Sequence, residues 1–132
     1  MTTQGESKIS RAILTALRLE KVFCFKVHGG PTMMAGLPDI IACVDGQFLA
    51  LETKTPEKRK NTSAIQRHVH GLMRQSGARV EVVCGVQEAL GIVDDMRTAA
   101  RITQVPPPNS AIQERERRLA IKPRPIRDTP QA

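Results

Sequence analysis

The chain has 132 residues, enough for one domain with its own core and a short extension. Its 20 Lys and Arg against 13 Asp and Glu give a formal charge of +7, and a 40% apolar share excludes wholesale disorder. Trp and Tyr are absent and Phe occurs three times, which argues against an aromatic base-stacking sheet; no apolar run is long enough to span a membrane, and no signal-peptide pattern opens the chain.

Ile9, Ala12, Ile13, Ala16 and Leu17 recur at helical spacing and predict a first amphipathic helix. Val22–Val27 reads as a strand and is followed by a Gly- and Pro-rich loop, His28 to Pro38. Two β-rich runs, Asp39–Val44 and Phe48–Lys54, flank Asp45-Gly46, a strong hairpin signal. After a charged loop, Thr55 to Thr62, a second helix is predicted over Ala64–Ser76, with Gly77 as its stop. Arg79–Cys84 then reads as a fourth strand and Val86–Ala99 as a third helix. This order, α-β-β-β-α-β-α, predicts an α/β fold with a mixed four-stranded sheet and helices on both faces.

The character changes near the end of that helix, which divides the chain into a domain of residues 1–103 and an arm of residues 104–132. The arm holds six prolines from Pro106 onward, and Ile112–Ala120 is the one segment in it that reads as a short charged helix. Residues 101–132 carry seven Lys and Arg against three Asp and Glu, so most of the excess positive charge sits there. Such a balance points to a polyanionic partner. Cys24, Cys43 and Cys84 are odd in number, form no C-x-x-C pair and sit in apolar runs. They read as buried small hydrophobes in a reducing, cytoplasmic compartment, not as zinc ligands.

A type I′ turn centred on Asp45-Gly46 pairs residues whose numbers sum to 91, so Ile40 meets Leu51 and Asp39 falls opposite Glu52. Cross-strand partners share a face, and Lys54, two residues beyond Glu52, shares it too. Two carboxylates and one ammonium on a half-buried surface suit two roles. They can cradle a divalent cation on a phosphate, or they can form a buried ion pair that only ties strands together. Both faces of the hairpin are mostly apolar, which predicts helical cover on each side.

Gly36-Leu-Pro-Asp39, the hairpin, Leu51-Glu-Thr-Lys-Thr-Pro56 and a following helix with Gln66 and Gly77 together resemble the VRR-NUC family of PD-(D/E)xK nucleases, in its short stand-alone phage and bacterial form. The resemblance spans roughly Glu6 to Ala99. It implies a restriction-endonuclease-like core and a nuclease dependent on Mg²⁺ or Mn²⁺. Asp39 and Glu52 would be metal ligands, with the Thr53 carbonyl and Glu6 completing the shell. Lys54 would act on the attacking water and the scissile phosphate, and Gln66 would line the same pocket. It further implies DNA as partner, branched or junction DNA as substrate, and a homodimer. The third helix, with Val86, Ala89, Leu90, Ile92, Val93 and Met96, offers apolar surface beyond what one sheet face needs, and so an interface.

Glu6 and Gln66 also fit capping boxes, Thr3-x-x-Glu6 and Ser63-x-x-Gln66, and a cap does not preclude a site role. His68 and His70 are two apart on a helix and point in different directions, a poor metal pair. Lys26 and His28, at the end of the first strand, and the cluster Lys58-Arg59-Lys60 are the expected nucleic-acid contacts. The alternatives in other classes are a non-catalytic nucleic-acid-binding module on a nuclease fold, and an interaction protein docking through its arm. Within the nuclease class, flap, single-stranded or plain duplex DNA are the alternative substrates.

Overall fold

A computed structural model describes residues 4–103 and 115–120. The chain divides into two units, Met1–Ile102 and Thr103–Ala132. The first runs α1 (Gln4–Leu19), β1 (Phe23–Lys26), β2 (Ile40–Val44), β3 (Gln47–Thr53), a 3-10 turn (Pro56–Lys58), α2 (Ala64–Gln75), β4 (Arg79–Val83) and α3 (Val86–Thr103). The order of elements matches the sequence reading, with α3 reaching four residues further than expected because its first helix breaker is Pro106. In the second unit only a helical turn, Arg115–Leu119, is described. The Pro-rich remainder of the arm and Thr3 lie outside the described residues.

The sheet has the order β1-β2-β3-β4, antiparallel except for the parallel β3–β4 pair. Asp45 (φ 47°) and Gly46 (φ 79°) both take left-handed angles, as a type I′ turn requires. The ladder follows from it: Val44 pairs with Gln47 and Ile40 with Leu51. β4 reaches β3 in parallel because α2 supplies the crossover.

One face of the sheet carries the core. Ile40, Ala42, Val44, Leu49, Leu51 and Val83 are all buried there against Ile13 and Leu17 of α1 and Ala89, Val93 and Met96 of α3. Val86, Leu90 and Ile92 pack around the same cluster. The wide apolar stripe of α3 is therefore largely used within its own domain, and it does not present the surplus surface that the sequence suggested for an interface. No helix among the described residues is long and apolar enough to cross a membrane.

The second face departs from expectation. Among the described residues of the first unit its single helix is α2, which lies against β4 and spans about 18 Å at 1.5 Å per residue. It leaves the β1 side of the sheet open. Phe23 (73% exposed), Phe25 and Phe48, all the aromatic residues of the chain, emerge on this uncovered face, and Cys43 lies beside them. Of the three cysteines only Cys24 is buried as expected; Cys43 is exposed and Cys84 half-buried. Alternating apolar residues told which side chains share a face, but not how far one short helix would extend over it.

Candidate active site

The functional side chains gather where β2 begins and β3 ends. One step past the Ile40–Leu51 pair, the same register carries the chain to Asp39 and Glu52. Val27 N–H donates to the Asp39 carbonyl at 2.7 Å, which holds the entry to β2 against the end of β1. The Asp39 carboxylate does not simply face that of Glu52. Its Oδ2 accepts from the Thr53 N–H at 2.9 Å and from the Thr53 hydroxyl at 2.8 Å. That hydroxyl, having donated to Asp39, accepts from Ser10 Oγ at 2.7 Å. A buried chain of donors thus runs Ser10 to Thr53 to Asp39 and ties α1 to the site.

Glu52 is the centre of the second group. Its side chain is buried, yet it meets Lys54 Nζ at 3.5 Å and Gln66 Nε2 at 2.9 Å, both through Oε1. Burial, then the nearby charge of Asp39, raise its pKa from 4.5 to about 7, against the opposing pull of Lys54. Glu6, buried in the first turns of α1, adds a smaller push in the same direction. The ion pair joins Glu52, near the end of β3, to Lys54 just after it, so it does not tie β3 to β2. Around Glu52 itself, the acidic neighbours Asp39 and Glu6 stand against the single ammonium of Lys54.

Gln66 caps α2 and also reaches Glu52. Its Oε1 accepts from Ser63 N–H at 2.9 Å, its own N–H donates to Ser63 Oγ at 3.2 Å, and its Nε2 reaches Glu52. α2 can lie this close because Gly36 has no side chain. A Cβ there would stand 2.8 Å from the Ile65 carbonyl oxygen, and Gly36 has a φ of +84°.

The predicted nucleic-acid contacts separate. Lys26 and His28 join Asp39 in lining a cavity of about 890 Å³ that also takes in Ser7, Arg11 and Arg18 of α1 and the loop from Gly29 to Pro38. Lys58, Arg59 and Lys60 are exposed and are not part of its lining; Arg59 is paired with Glu88. The sequence reading missed three groups. Ser10 is fully buried, and the sequence signal for it is its place four positions after Glu6 on the inward stripe. Arg11 and Arg18, seven apart, share a helix face and add two cations to the cavity. His70, 2% exposed, sets its Nε2 3.8 Å from Glu52 Oε2, and its pKa is lowered chiefly by burial and by Arg74.

Among the described residues, no three His, Cys, Asp or Glu side chains converge closely enough to hold a metal ion as they stand. The donor set is nonetheless suited to one. Glu52 Oε2 is buried without a hydrogen-bond partner, and hard carboxylate oxygens with a deficit of positive charge are what a magnesium-type cation takes.

No protein-family model matches the chain, and no curated protein does. A solved structure described as a "VRR_NUC domain" superposes with a TM-score of 0.54 at 20% identity, covering 68% of this chain and 95% of that one. The protein has the fold of a VRR_NUC domain.

Proposed function

We propose that the protein is a metal-dependent nuclease hydrolysing phosphodiester bonds in DNA. The observation that carries this reading is Glu52: a buried carboxylate, raised to about 7 by burial and by Asp39, with Lys54 and Gln66 on one oxygen and no hydrogen bond to the other. A group this costly to ionise has a role when a cation arrives to share its charge. Asp39 and Glu52 would hold Mg²⁺ or Mn²⁺, with Glu6 and the Thr53 carbonyl as further oxygen donors. A cation bound there supplies Lewis-acid polarisation of the phosphate and a lowered pKa for an attacking water.

The chain's own residues do the rest. Thr53 and Ser10 keep the Asp39 carboxylate from turning away. Lys54, fixed beside Glu52, places a positive charge where negative charge develops on the phosphoryl oxygens. Lys26, His28, Arg11 and Arg18 line the cavity next to Asp39 and bind flanking phosphates. Lys58 and Lys60 extend the basic surface. Branched DNA is the proposed substrate and a homodimer the proposed assembly, since two-fold symmetry pairs two sites on symmetric strands.

The test is a panel of labelled four-way, flap, single-stranded and duplex DNA with Mg²⁺, Mn²⁺ or EDTA. Cleavage is expected only with metal, and Asp39→Asn and Glu52→Gln are expected to abolish it while the protein stays folded. Lys54→Ala should lower single-turnover rate by orders of magnitude with little loss of DNA affinity. Cutting that persists in EDTA, or in both carboxylate variants, would overturn the assignment.

A further inference from the structure

Among the described residues two buried side-chain polar atoms have no hydrogen-bond partner, Glu52 Oε2 and His70 Nε2, and they face each other at 3.8 Å. A histidine kept only for packing would be better replaced by an apolar residue of the same size, because an unpaired buried imidazole nitrogen loses its hydration and gains nothing. The opposite oxygen of Glu52 is already taken: Gln66 donates to Oε1, and Lys54 stands beside it. Gln66 and His70 are four residues apart on α2, so one helix face presents both groups to one carboxylate.

We infer that His70 is a positioning residue for the metal site: its Nε2, 3.8 Å from Glu52 Oε2, acts as an N–H donor that limits rotation of the carboxylate which would hold the cation. The inference rests on the metal site proposed above and adds what fixes the orientation of its glutamate. Ligating carboxylates are ordinarily hydrogen-bonded in turn, and losing such a partner costs about 10- to 100-fold in metal affinity or activity. Gln66 and Lys54 both act on Oε1, so neither fixes Oε2.

The full-length protein, without DNA, is titrated with Mn²⁺ and followed by electron paramagnetic resonance. His70→Leu is expected to weaken Mn²⁺ binding by about tenfold or more, with a melting temperature equal to or above wild type. His70→Gln, which keeps an N–H donor, is expected to recover most of the affinity. The wild-type Mn²⁺ spectrum is expected to show no directly coordinated nitrogen. A leucine variant that binds Mn²⁺ as tightly as wild type would reduce His70 to a space filler. A coordinated nitrogen that disappears in His70→Gln would make His70 a ligand and overturn its positioning role. Wild-type protein that binds no Mn²⁺ would overturn the metal site and this inference together. Should the leucine variant fail to fold, the wild-type spectrum and the glutamine variant decide.

Discussion

Glu52 sets an electrostatic condition on the whole domain. Its pKa is near 7 when folded and near 4.5 when exposed, so the folded protein holds on to a proton that the unfolded chain releases between those values. The sign follows: stability is fully present below about pH 4.5 and falls as pH rises through 7, by on the order of 3 kcal/mol for a shift of this size. In EDTA, the melting temperature of Glu52→Gln should match wild type near pH 4.5 and exceed it increasingly up to about pH 7.5. Added Mn²⁺ should remove much of the wild-type deficit, because the cation then offsets the charge that burial penalises. Equal pH profiles for the two proteins would mean that Glu52 titrates as an ordinary carboxylate.

The elements show why part of this arrangement was legible in the sequence and part was not. The β2–β3 register could be read directly, because Asp45-Gly46 fixes the turn and a period of two then places every side chain; Asp39, Glu52 and Lys54 follow by counting. Gln66 was accessible through its capping spacing. The Ser10–Thr53–Asp39 chain was not, since Ser10 and Thr53 are 43 positions apart and meet only once α1 packs on the sheet. His70 was hidden for the same reason: judged against His68 along the helix it pairs with nothing, and its partner lies across a helix–sheet contact. That contact depends on Gly36. Gly36→Ala should cost roughly 2 kcal/mol or more, from left-handed backbone and from collision with the Ile65 carbonyl. It should also lower activity by moving Gln66 and His70 off Glu52, which thermal melts and cleavage rates measured together would reveal. Thr53→Val, nearly the same shape without the hydroxyl, should cost roughly 1–3 kcal/mol.

At the scale of the molecule, charge and packing are divided between the two units. The first holds the sheet, the core and every candidate site residue, whereas residues 103–132 carry six Lys and Arg against three Asp and Glu, three of the seven net positive charges. Truncation after Thr103 should leave melting temperature and single-turnover cleavage near those of the full chain. The slope of log affinity for DNA against log salt should become shallower, because each phosphate neutralised by the arm contributes to that slope. An unchanged slope would remove the arm from DNA binding. The sheet face that bears Phe23, Phe25 and Phe48 contrasts with this: it belongs to the folded unit, and its exposure comes from the short reach of α2, not from any excess of apolar residues in the sequence.

The Gln66 amide is held at both ends, by a helix start and by a buried carboxylate. A fluctuation that frays the first turn of α2 must therefore release Glu52 in the same motion. The Ser63 amide proton, protected by Gln66 Oε1, becomes a reporter of order at a carboxylate that itself has no exchangeable backbone signal in the pocket. Its hydrogen exchange should slow when a divalent cation immobilises Glu52 and should quicken in Glu52→Ala. An amide at the surface of the domain would thus register occupancy at its interior, and the helix cap would serve as a clock for how often the site falls out of register.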